Sequence, residues 1–107
     1  MKELARYIKV LGDESRLAII HAIGGGTRSV TEIIQETGLS QTLVSFHLRV
    51  MREKGIVTTK RDGPFIYYSL SRSELYDLVG NISRVAGMKN VFTRAMPSLK
   101  NVNQDRR

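Results

Sequence analysis

A mainly helical α+β fold, with roughly five to six helices and one β-hairpin, follows from three observations. Apolar residues recur at helical spacing through most of the 107-residue chain. Side chains suited to helix N-termini stand just ahead of those stretches, at Asp13, Ser29 and Ser40. One interval breaks the pattern. Residues Ile56–Arg61 and Phe65–Leu70 are rich in β-branched and aromatic side chains, and they flank the turn signal Asp62-Gly63. This length suits one domain, read as residues 1–99, with a flexible tail over residues 100–107.

Taken in order, Leu4, Ile8 and Leu11 line one face of a first helix, which Gly12 interrupts. Asp13 caps the second helix, with Glu14 in its first turn and Leu17, Ile20 and Ile23 inward. Gly24–Gly26 end it in a flexible connection. These glycines lack the preceding strand and the following Gly-Lys-Ser/Thr of a phosphate loop, so they are read as a loop. Ser29-Val30-Thr31-Glu32 is a capping box, in which serine hydroxyl and glutamate carboxylate each satisfy a free N–H. It opens a short helix with Val30, Ile33 and Ile34 inward. Thr37-Gly38-Leu39 then turns the chain and Ser40 caps the next helix, so two helices meet across a short glycine-containing turn. That is a helix-turn-helix.

At about 100° per residue, positions 41–54 sort into two sides. Val44, Leu48 and Met51 form the apolar one, with Leu43 and His47 at its edge. Gln41, Thr42, Ser45, Phe46, Arg49 and Arg52 form the other. Short polar groups at the helix start, with arginines further along the same face, suit insertion into a major groove. There glutamine pairs with adenine, arginine with guanine or phosphate, and hydroxyls with either base edge. An amphipathic helix with a merely solvated outer face is the alternative, and the turn before it and hairpin after it favour DNA. Phe46 either touches thymine methyl groups or packs against its neighbours.

The hairpin projects Lys60 and Arg61 beside a tip bearing Pro64, which donates no ladder hydrogen bond and therefore belongs at a tip or edge. Such a wing touches backbone phosphate or a minor groove. Tyr67 and Tyr68 point to opposite faces, so at most one is core and the other is read as packing against a helix. Ser71-Arg72-Ser73-Glu74 reads as a second capping box, opening a helix with Leu75, Leu78, Ile82 and Val85 in line. Whether Gly87 breaks that helix is open at this stage. A further stripe follows at Met88, Val91, Phe92, Ala95, Met96 and Leu99. Together with the first helix this is more apolar surface than a small core needs. A homodimer through Leu4, Ile8, Leu11, Leu78, Ile82, Val85, Val91 and Phe92 is expected.

The net charge of +7 is unevenly placed. Residues 40–61 hold five basic side chains (Arg49, Arg52, Lys54, Lys60, Arg61) against one acidic, Glu53, and residues 81–107 hold six against one. A localised basic patch attracts polyanions, either nucleic acid or an anionic membrane surface, and on charge alone a merely solubilising face is an equal alternative. With 0 cysteines there is no disulfide, thiolate ligand or thiol switch. No apolar run spans a bilayer and the N-terminus lacks a signal-peptide core, so no membrane partner and a cytoplasmic location are expected. No carboxylate pair, Ser/His/Asp set or metal cluster converges, so neither an enzyme nor a cofactor is expected. A winged-helix protein-interaction module, an adaptor without specific DNA readout, is the alternative function. Its discriminating feature is an apolar rather than a basic outer face.

"LGDESRLAIIHAI", "SVTEIIQETGLSQTLVSFHLRVMREKGIV" and "RDGPFIYYSL" resemble the ArsR family of winged helix-turn-helix repressors over about Leu11–Leu70. The resemblance implies a homodimer joined by its first and last helices, an inverted-repeat operator in double-stranded DNA, and release by an inducer. Metal-sensing members carry a cysteine pair where this chain has Ser29 and Thr31, poor ligands for soft metals. Others use Asp, His and Glu of C-terminal helices, but this chain has no His beyond His47, and thiol sensors need cysteines it lacks. The inducer, if there is one, is unidentified. His47 occupies the family's "HL" pair and is read as structural, hydrogen-bonded near backbone phosphate. His21 has no second His at i+3 or i+4 and is weak evidence for metal.

Overall fold

The computed structural model describes residues 1–89 and Phe92. Its elements run α1 (Lys2–Leu11), α2 (Glu14–Ile23), β1 (Thr27–Ser29), α3 (Val30–Thr37), α4 (Gln41–Glu53), β2 (Val57–Asp62), β3 (Phe65–Leu70) and α5 (Glu74–Val85). Met1–Tyr76 makes one compact unit and the chain from Asp77 onward another. The expected tail, Val91 and the remainder of the last apolar stripe lie outside the described residues.

The first three caps form as their side chains dictate. Asp13 accepts from the Arg16 N–H at 3.1 Å, and Ser40 Oγ accepts from the Leu43 N–H at 3.1 Å. The Ser29/Glu32 capping box is reciprocal, at 3.2 and 2.9 Å. Gly38 takes φ 75° at the end of α3, where its N–H donates to the Ile34 carbonyl, and a side chain there would be strained. Caps and turn thereby fix the crossing of α3 and α4.

Beneath this crossing lies the core. Ile19, Ile20, Ile23, Ile33, Val44, Leu48, Met51 and Ile56 are fully buried. These apolar side chains hold α4 by one side, which obliges the other side to face outward.

Three strands, in the order β1-β3-β2, form an antiparallel sheet where the sequence showed only a hairpin. β1 pairs Thr27 with Ser69 and Ser29 with Tyr67, so the end of the glycine connection is a strand rather than loop. In the hairpin, Asp62 stands opposite Phe65 and Gly63-Pro64 form the turn.

The second capping box does not form. α5 begins at Glu74, so this residue stands at the helix's first position instead of its third. Ser71 is instead held by the sheet end, its N–H donating to the Ile56 carbonyl at 2.9 Å, and its buried Oγ has no hydrogen-bond partner among the described residues. Glu74 takes the Arg72 guanidinium at 2.9 Å. Along α5, Leu75, Tyr76 and Val79 are buried, whereas Leu78, Ile82 and Val85 are exposed. Gly87 does end this helix. At φ 79° its N–H donates to the Arg84 carbonyl and that of Met88 to the Ser83 carbonyl, the paired bonds of a Schellman close.

Candidate nucleic-acid interface

α4 supplies the site. Gln41, Thr42, Ser45, Phe46 and Arg49 are exposed and line one shallow, open depression along its outer face. Arg52 is also exposed, one turn beyond Arg49, outside that depression. Leu43 is 37% exposed and leans outward, whereas His47 is buried rather than at an edge.

The burial of His47 has a polar explanation. Its Nδ1 lies 3.1 Å from Arg16 Nη1, and its Nε2 lies 3.8 Å from Asp13 Oδ2. A guanidinium can only donate, so Nδ1 accepts and the ring proton sits on Nε2, facing the carboxylate. Arg16 Nε donates to the Val10 carbonyl at the end of α1. One arginine of α2 thus ties the end of α1 to the middle of α4. His47 thus has partners inside the protein, a hydrogen bond to Arg16 and a longer approach to Asp13, and the hydrogen bond offsets part of the cost of burying a polar ring.

Phe46 is the aromatic of the outer face. Its ring meets the His47 ring edge-on, with centroids 5.1 Å apart, and the Arg49 guanidinium carbon lies 5.8 Å from its centroid. The first contact leans it on an anchored imidazole. The second is a cation–π contact across one helical turn, within the distance at which such pairs attract.

The wing carries the second part. Lys60, Arg61, Asp62 and Tyr67 line a depression together with Thr27 of β1. Tyr67 and Tyr68 are both half-buried, and the Tyr67 ring sits 6.4 Å from that of exposed Phe65. Thr27 was missed as a neighbour of the wing because nothing in a three-residue strand signals its pairing. Arg28 beside it reaches Glu36 at 4.0 Å. Asp13 and Arg16 were missed as supports of α4, although their i, i+3 spacing could have suggested a shared task.

The oxygens of Ser29 and Thr31 do not make a soft-metal donor set. The Ser29 hydroxyl is engaged in the cap of α3, and an exposed Thr31 offers only a neutral oxygen. Among the described residues no three His, Asp or Glu side chains come together to hold a metal ion, and no helix is long and apolar enough to cross a membrane.

Comparison with known proteins agrees with this geometry. A family profile described as "Bacterial regulatory protein, arsR family" matches residues 13–59. The arsenical resistance operon repressor of Staphylococcus aureus is 30% identical over 82 residues, covering 77% of this chain and 79% of that protein. Among solved structures, the transcriptional repressor BigR from Xylella fastidiosa matches with a TM-score of 0.71 at 33% identity, over 78% of this chain and 86% of that one. A homodimeric winged helix-turn-helix DNA-binding domain from Mycobacterium bovis matches with a TM-score of 0.70 at 29% identity, over 80% of each chain.

Fold and outer face together define a winged helix-turn-helix, DNA-binding transcriptional regulator. The chain belongs to the ArsR family of bacterial regulatory proteins.

Proposed function

We propose that the protein is a cytoplasmic, non-catalytic homodimeric repressor that reads an inverted-repeat operator in double-stranded DNA. One observation carries the reading. Gln41, Thr42, Ser45 and Arg49 are all exposed on a helix whose opposite side, Val44, Leu48 and Met51, is sealed in the core. Such a helix cannot rotate away from its presented face. In this reading it enters a major groove N-terminus first. Gln41, Thr42, Ser45 and Phe46 meet base edges, Arg49 meets guanine, and Arg52 meets phosphate at the groove wall. Lys60 and Arg61 of the wing neutralise backbone phosphates and release counterions.

Dimerisation draws on apolar surface that the chain leaves uncovered. Leu4 and Ile8 on α1 are 53% and 54% exposed, and Leu78, Ile82 and Val85 on α5 are 51%, 55% and 88% exposed. Leu11 and Phe92 are already buried within the chain, so they have little area left to give a partner. A second copy brings a second α4, and the two enter successive major grooves about 34 Å apart. Relatives named as repressors support the direction of regulation. No observation favours the protein-interaction alternative.

The test is selection of bound duplexes from a random pool, followed by titration of the selected operator. Arg49→Ala should cost about 1–3 kcal/mol of discrimination at one base pair in each half-site. Lys60→Ala should weaken all sequences alike and lower the salt slope by about one per protomer. Should both variants bind the operator as the wild type does, the assignment of reading helix and wing is wrong.

A further inference from the structure

We infer that Phe46 and Arg49 act as one unit that reads a thymine beside a guanine, the Phe46 ring packing on the thymine C5-methyl group. This rests on the reading of α4 as the helix that enters the major groove.

The first observation is that Phe46 is 46% exposed on an otherwise polar face. Leaving that much ring in water is unfavourable. Its ring contacts are with His47 and Arg49, both on α4 itself. His47 is held in turn by Arg16 and Asp13, so Phe46 rests on a fixed base and keeps its outer side open. An apolar surface offered to a major groove meets one apolar group among the four bases, the thymine methyl.

The second observation concerns spacing. Residues three apart on a helix rise about 4.5 Å, close to the roughly 3.4 Å between successive base pairs. Phe46 and Arg49 therefore stand over neighbouring pairs when α4 lies along the groove. The guanidinium lies against the ring, which leaves its N–H edge free for guanine O6 and N7. Holding it there also removes rotamer freedom before DNA arrives, so less is lost on binding. A methyl on one pair and two acceptors on the next are the chemical signature this unit recognises. Because the methyl is what is read, 5-methylcytosine should substitute for thymine at that position.

The experiment uses the full chain and its selected operator. Each thymine is replaced in turn by deoxyuridine, which deletes the methyl and keeps every hydrogen-bonding group. Wild-type protein should show one thymine per half-site whose replacement weakens binding about fourfold, the effect of burying one methyl-sized group, and about 15-fold when both half-sites are changed. Phe46→Ala should bind the thymine operator more weakly and be indifferent to the swap. The adjacent guanine, replaced by 7-deazaguanine, should matter to the wild type and not to Arg49→Ala. A specific operator at which no thymine is sensitive, or at which Phe46→Ala keeps the wild-type sensitivity, overturns this inference alone. A selection that returns random sequence overturns the groove reading itself and this inference with it.

Discussion

α1 and α4 are both amphipathic helices of the same compact unit, yet their apolar sides meet different fates. Val44, Leu48 and Met51 of α4 are no more than 1% exposed, while Leu4 and Ile8 of α1 remain about half exposed and only Leu11 is buried. Periodicity shows that a face wants covering and is silent about what covers it. α4 is covered by its own chain and is thereby aimed. α1 is left with area that a second copy is suited to cover.

The largest effect should come from breaking the covered side. Leu48→Ala empties space in a fully enclosed site and should cost about 2–5 kcal/mol, read as a fall in the urea midpoint. On the uncovered side, Ile8→Glu should keep the helical circular-dichroism signal and raise the dimer dissociation constant about tenfold or more, measured by sedimentation equilibrium. If Ile8→Glu instead unfolds the chain at every concentration, α1 belongs to the core and the contrast is false. Smaller is Ser40→Ala, which removes the cap of α4 and should cost about 1 kcal/mol, with faster amide exchange at Leu43.

The smallest effect belongs to Glu74, outside both helices. Its carboxyl is held below the usual glutamate range, first by its own backbone N–H and then by the Arg72 guanidinium. A depressed folded value means the contribution is present above the unfolded pKa and fades as pH falls through the lower, folded one. Glu74 is fully exposed, so salt screens the effect. Glu74→Gln should leave melting at neutral pH almost unchanged and slightly flatten the acid limb in low salt.

Elements governed by neighbours in sequence were legible. The caps Asp13, Ser29 and Ser40 bond within three residues, so residue type and spacing suffice to place them. The outer face of α4 follows from the same local periodicity. What escaped depends on partners far along the chain. β1 exists because Thr27 and Ser29 find β3 some forty residues later, and no pattern in three residues announces that pairing. His47 sits inside with a hydrogen bond from Arg16 and the Asp13 carboxylate nearby, whereas periodicity alone left it at an edge. The Ser71 box failed because the sheet claims the Ser71 backbone first, delaying the helix to Glu74. Of the candidate site, the exposed outer face of α4 was visible in the residues, but the lean of Phe46 on His47 and Arg49 required coordinates.

Arg16 grips the Val10 carbonyl with one edge and the His47 ring with another. If two copies pair through α1, that grip couples the seam directly to the probe. One inserted base pair displaces the far groove by about 3.4 Å and swings it by roughly 35°. In that arrangement tolerance for spacer length should be narrow.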